Sequence, residues 1–151
     1  MKTELPNIHR FLGEAHHYAM QMMENSSYIL KQLPSLQMPD ALRHQLETLC
    51  SDLIGTKHDL AHEIHEVDEL TMTSPGASAI RNGVERMCQW IDEANMQFKD
   101  GVETVHEAVG TGEVDGLLSL LLTESGVNIL NATPTRPYFE EDADTNASSC
   151  E

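Results

Sequence analysis

The chain has 151 residues, about one domain's length, and can bury roughly two-thirds of the surface its unfolded form would expose. Only 5% of residues are aromatic, while Leu, Met, Ala, Val and Ile supply most of the apolar content, which suits helices packed side by side better than a β-sandwich. Nine Lys plus Arg stand against 25 Asp plus Glu, a formal charge of −16 that repels phosphate backbones and anionic lipid and so argues against direct nucleic-acid binding or membrane association.

The first predicted helix covers Leu5 to Leu33, with Ile8, Leu12, Ala15, Ala19, Met22, Ser26, Ile29 and Leu33 at alternating spacings of four and three. That spacing keeps one narrow stripe facing a partner helix, as in a bundle or coiled coil. Pro34 and Pro39 then force a short connection, and Asp40 is the expected N-cap of a second helix running to Thr71. Its seam is Leu42, Leu46, Leu49, Leu53, Thr56, Leu60, Glu63, Val67 and Leu70. Ser74 followed by Pro75 is a helix-start signal, so a third helix is predicted from there to Val109, with Ile80, Val84, Met87, Ile91, Ala94 and Phe98 as its seam. After Phe98 the apolar pattern steps by four to Val102, then Val105 and Val109, where a strict heptad would place Gly101; such a step predicts local unwinding of a supercoil.

Gly110 and Thr111 supply a helix stop and a cap, and a shorter fourth helix is predicted over Glu113 to Leu130. It carries Leu117, Leu118, Leu120, Leu121 and Leu122, a broad apolar face suited to a groove between longer helices, although Gly126 weakens its last turn. The fold expected is all-α: an antiparallel bundle of three long helices plus a shorter fourth over residues 1–131. Residues 132–151, with Pro134, Pro137 and the acids Glu140, Glu141, Asp142 and Asp144, read as a disordered acidic tail. Ser26, Thr56 and Glu63 interrupt the seams, which suggests positions near a bundle end or partly wet; burial of Glu63 among Leu60, Ile64 and Val67 would raise its pKa.

Cys50, Cys88 and Cys150 form no Cys-x-x-Cys pair and fit a reducing compartment. No apolar run resembles a signal peptide or a membrane span, so the expected setting is cytoplasmic and the sequons at Asn25, Asn131 and Asn146 are read as accidental.

The densest group of potential metal ligands is on the second helix. His58, His62 and His65 are spaced by four and three, and two imidazoles at i and i+4 can reach one ion, with Glu66, and also Asp59 or Glu69, as candidate partners. Such a site would favour zinc, nickel, copper or iron. At 100° per residue, however, the three histidines fall about 130° to 190° from the seam and face outward. Glu14-x-x-His17, Asp59-x-x-His62 and Glu103-x-x-His106 loosely fit the ligand pairs of di-iron bundles, but those sites project inward, whereas His17 and His62 point away from their seams. His16 and His17 could also support a general base, and read more simply as histidines flanking an exposed helix face.

The function expected is a non-enzymatic interaction or regulatory module with no cofactor, self-associating and binding another protein, with a basic surface as the candidate partner. Arg136, Tyr138 and Phe139, just before the acids, are the candidate docking anchors. The alternative is a transition-metal-binding or metal-responsive bundle using the His58, His62, His65 and Glu66 stripe. A third reading is an acidic decoy for the nucleic-acid site of a basic protein. Eight histidines, each gaining one charge, would take the formal charge from −16 to −8, which predicts stronger self-association between pH 7 and 5.

Overall fold

The computed structural model describes residues 4–73, 76–110 and 116–137. Among the described residues four helices make up the fold: α1 (Glu4–Gln32), α2 (Asp40–Met72), α3 (Ala77–Gly110) and α4 (Gly116–Ala132), with a 3-10 turn over Leu33–Ser35. α1 and α3 each pack against both α2 and α4. Consecutive helices are antiparallel, as paired positions show: along α2, Leu49 meets Gly101, Thr56 meets Gln97, Glu63 meets Arg86 and Val67 meets Gly83. Asn25 of α1 likewise donates to the Ser125 carbonyl of α4 at 3.3 Å.

The seams explain the packing. All eight positions of the first stripe, from Ile8 on α1 to Leu33 in the 3-10 turn, are buried, Ser26 included, and all six from Ile80 to Phe98 on α3. On α2, Leu42, Leu46, Leu53, Thr56, Leu60 and Val67 are buried, while Leu49, Glu63 and Leu70 are half-buried. Phe11, Tyr18 and Cys50, off those stripes, are also fully enclosed, because a helix in a four-helix array meets two neighbours and buries more than one seam.

The expected step at the end of α3 does not occur. Gly101 is buried, and Val105 is fully enclosed, so the heptad runs through Ala94, Phe98, Gly101 and Val105. Glycine there is a hole: a Cβ would lie 2.2 Å from Leu49 Cδ2, so the leucine of α2 occupies its place. Gly83 does the same for Val67, whose Cγ2 would be 2.5 Å from an added Cβ. Val102 instead faces α4, where it and Phe98 come within 3.7 Å of the Cβ position of Gly126.

One boundary also differs. Asp40 is not the N-cap of α2: Pro39 takes that place in an extended conformation without a side-chain cap. Its carbonyl already accepts from Arg43 N–H at 3.0 Å, so the helical ladder starts one residue early and Asp40 puts its charge in the positive first turn. Arg43 in turn closes the end of α1, its guanidinium donating to the carbonyls of Leu33 and, at 2.8 Å, Leu36. The start expected at Ser74 and Pro75 lies outside the described residues.

α4 spans 17 residues, about 25 Å, against about 44 to 51 Å for its neighbours. Below it the chain continues in ordered contact past residue 131. Pro134 is buried, Thr135 N–H donates to the Glu14 carboxylate at 3.0 Å, and Arg136 pairs with Glu85. The segment ties α4 to both α1 and α3 where a tail was expected to depart. Tyr138, Phe139, the acidic run and Cys150 lie outside the described residues.

Candidate functional site

Cross-helix polar contacts fix the register of the core. The Tyr18 hydroxyl, fully enclosed, donates to Asn95 Oδ1 at 2.7 Å and joins the diagonal helices α1 and α3. Burial raises its pKa, with the Asp92 charge adding to the effect. Thr56 donates to the Asp52 carbonyl at 3.0 Å and lies 3.2 Å from Gln97 Oε1. Glu63, the least comfortable acid of the seam, is half-buried and accepts from Arg86 Nε at 2.9 Å. Ser26 differs: it is fully buried, six residues before the end of α1, and its hydroxyl has no partner among the described residues. None of these pairings is legible from one helix alone, because each depends on inter-helix register.

His58, His62 and His65 are exposed, on the outward side that the helical wheel assigns them. His62 donates to Glu66 and His65 to Glu69, each at 2.9 Å and each an i,i+4 pair in solvent. Such exposed pairs contribute a few tenths of a kcal/mol at most. Among the described residues no three His, Cys, Asp or Glu side chains come together as a group able to hold an ion. The Glu-x-x-His pairs also stay apart: His17, Asp59, His62 and Glu103 are exposed, Glu14 is held by Arg10 and Thr135, and the side chain of His106 lies outside the description.

Cys50 and Cys88 are free thiols. Burial pushes Cys50 up to about 12. Cys88 is also raised by burial, against a lowering by the Arg136 guanidinium, a neighbour that sequence adjacency could not reveal. Arg136 itself is engaged within the chain, its pKa raised first by its hydrogen bond to Glu85.

The outer face of α4 is the least expected surface. Leu118, Leu122, Ser125 and Ile129 form an inner stripe spaced by four, three and four, all buried. Leu120, Thr123, Val127 and Leu130 form a second stripe, spaced by three, four and three, on the other side of the helix, all exposed. Val127 and Leu130 join Met96 of α3 in lining an apolar groove between the two helices. Leu120 is 56% exposed, Val127 49%, Leu130 58% and Met96 61%, so about half of each large apolar side chain meets solvent. The expectation that the broad apolar face of the fourth helix fills an internal groove therefore holds for one stripe only. Isolated exposed apolar residues such as Tyr28 and Met72 are ordinary; a stripe at coiled-coil spacing is not.

No family model, no curated protein and no solved structure matches this chain. Fold and surface define it as an antiparallel four-helix protein with one apolar helix face left open. No described helix is long and apolar enough to cross a membrane.

Proposed function

We propose that this chain is a non-enzymatic interaction module: a helical bundle that binds another protein and self-associates, in a cytoplasmic setting. The exposed heptad stripe on α4, continuous with Met96, carries the reading. A helix that is apolar on opposite faces has a second burial site to satisfy, and the groove beside it, lined by Met96, Val127 and Leu130 with Asp92, Lys99, Asp100 and Glu103 around them, extends that surface onto α3. The free thiols of Cys50 and Cys88 suit a reducing compartment.

A photoreactive side chain placed at Val127 or Leu130 in the full chain, in cells, tests the reading. Each position should give a discrete protein adduct, and Glu47, exposed on α2, should give none. Equal or absent crosslinking at all three positions would remove it. The transition-metal alternative has no observation of its own, since His62 and His65 are each paired with a glutamate on their own helix. Elemental analysis of the native protein, with zinc, nickel, copper and iron measured per chain, reads that alternative directly.

A further inference from the structure

We infer that the occupant of the groove between α3 and α4 is a basic amphipathic helix of another protein, its apolar side chains laid on Met96, Val127 and Leu130 and its Lys and Arg side chains on the acids to either side. The inference rests on the interaction reading above and gives its partner a chemistry.

The groove is an apolar strip between two acidic edges. Phe98 and Val102 of α3 close its floor against Gly126 of α4, each 3.7 Å from the Cβ position of that glycine. At 100° per residue, Asp92 and Asp100 stand about 40° to either side of Met96 on α3, and Glu103 about 20° from it. All three acids are exposed. On α4 the outer stripe itself is uncharged, and the one acid of that helix, Glu124, is exposed about 80° from the middle of the stripe, on the side away from Gly126 and α3. An approaching helix therefore meets apolar side chains along its centre line and carboxylates along both flanks.

Charge selects among the occupants. Three acids against Lys99 leave the groove wall at −2, within a chain of formal charge −16. A second copy would bring the same acids against themselves. The chain's own residues 138–151 carry Glu140, Glu141, Asp142, Asp144 and Glu151 and no Lys or Arg, so they are repelled as well. Cations flanking an apolar stripe are attracted at every one of these carboxylates.

Size selects a single helix. Asp92 to Glu103 is eleven residues and Leu120 to Leu130 ten, so both walls run about 15 Å, or three turns. The exposed apolar surface, on the order of 300 Å², is too small for two broad protein faces but matches three turns of helix with anchors at i, i+3 or i+4, and i+7. Apolar contact over that area holds weakly by itself. The rim charges then decide the affinity, and salt reduces it.

A synthetic peptide tests this: acetylated, amidated, about 18 residues long, with leucine at alternating spacings of three and four, Lys and Arg flanking that stripe and Ala elsewhere. Its counterpart carries Glu at every Lys and Arg. Fluorescence anisotropy of each labelled peptide, titrated with the full chain in about 50 and 500 mM NaCl, should show saturable binding of the basic peptide, weakened about tenfold at the higher salt, and none of the acidic one. Asp92→Lys with Glu103→Lys should weaken the basic peptide about fivefold or more, and so should Val127→Gln with Leu130→Gln. Glu47→Lys with Asp59→Lys, exposed on α2, makes the same change in net charge as the first pair and should weaken it less than about twofold. All six positions are exposed, and circular dichroism checks that each variant keeps its helices. No binding of the basic peptide, equal binding of the acidic one, an equal loss in the α2 pair, or no loss in either groove pair overturns the inference. If Val127 still crosslinks to a discrete protein in cells the interaction reading stands, and if it crosslinks to nothing both fall.

Discussion

Gly83→Ala should destabilise the protein although alanine is the better helix former. In an unobstructed helix interior the substitution gains about 0.8–1 kcal/mol. At Gly83 the added methyl would lie 2.5 Å from Val67 Cγ2 and 3.8 Å from Val67 Cβ. Val67 is fully buried and β-branched, so it cannot rotate away within its helix. Overpacking of this kind costs about 1–3 kcal/mol, and the helices must part by a fraction of an ångström. The balance is a net loss of up to about 2 kcal/mol. At Gly13 and Gly55 nothing lies within 4 Å of a Cβ, so alanine should stabilise by about 0.5–1 kcal/mol. Gly101→Ala should fall between these limits, because the obstructing atom is the far end of a half-buried leucine that can turn. Urea titrations followed by circular dichroism at matched protein concentration give the order directly, with a thermal shift of about 2–4 °C per kcal/mol as a second reading. A Gly83→Ala protein as stable as Gly55→Ala would mean that Val67 does not fill that hole, and the α2/α3 register would be wrong.

Ser26→Ala removes a buried hydroxyl that has no partner and should stabilise by about 1 kcal/mol; a loss in urea midpoint would show that the hydroxyl is satisfied. Tyr18→Phe leaves Asn95 Oδ1 without its 2.7 Å donor and should cost about 1–2 kcal/mol, measured by the same titration. Alkylation at pH 8 should modify Cys88 before Cys50, whose buried thiol is pushed up to about 12, and a mass-mapped order with Cys50 first would contradict its burial. The same shift fixes a sign: a pKa raised from 9.0 in the folded state keeps its stabilisation below about pH 9 and loses it as pH climbs toward 12. Cys50→Ala should therefore soften the alkaline fall in stability, read as the difference between urea midpoints at pH 8 and pH 11.

Much of the bundle was legible because a single helix carries the signal. Period fixes the face, and the stripe positions from Ile8 to Leu33 and from Ile80 to Phe98 are all buried. Gly101 was misread for the same reason. A pattern of apolar side chains registers knobs, and a glycine that serves as a hole leaves no mark in it until the leucine of another helix is placed opposite. Asp40 was misplaced by one residue because side-chain capping preference outweighed the backbone of Pro39, which already accepts the first helical hydrogen bond. Tyr18 with Asn95, Glu63 with Arg86 and Arg136 with Glu85 join residues 77, 23 and 51 positions apart. Such pairs follow from helix register, a property of the assembled chain.

The α4 face shows both situations at once. Its two stripes, Leu118 to Ile129 and Leu120 to Leu130, can be written down from the sequence, since each keeps a three-and-four spacing on opposite sides of one helix. Which of them faces the core cannot, because α4 meets α1 and α3 along only part of its circumference. Asn25 bonded to Ser125, and Phe98 against Gly126, set the rotation that turns Val127 and Leu130 outward. Once that rotation is fixed, the outer stripe leaves on the order of 7 kcal/mol of apolar burial unrealised at about 25 cal/mol per Å². Nearby α3 keeps its own outer face charged with Asp92, Lys99, Asp100 and Glu103, as an exposed helix should. α4, with one acid in 17 residues, does not, and keeps Leu120, Val127 and Leu130 in solvent on that face.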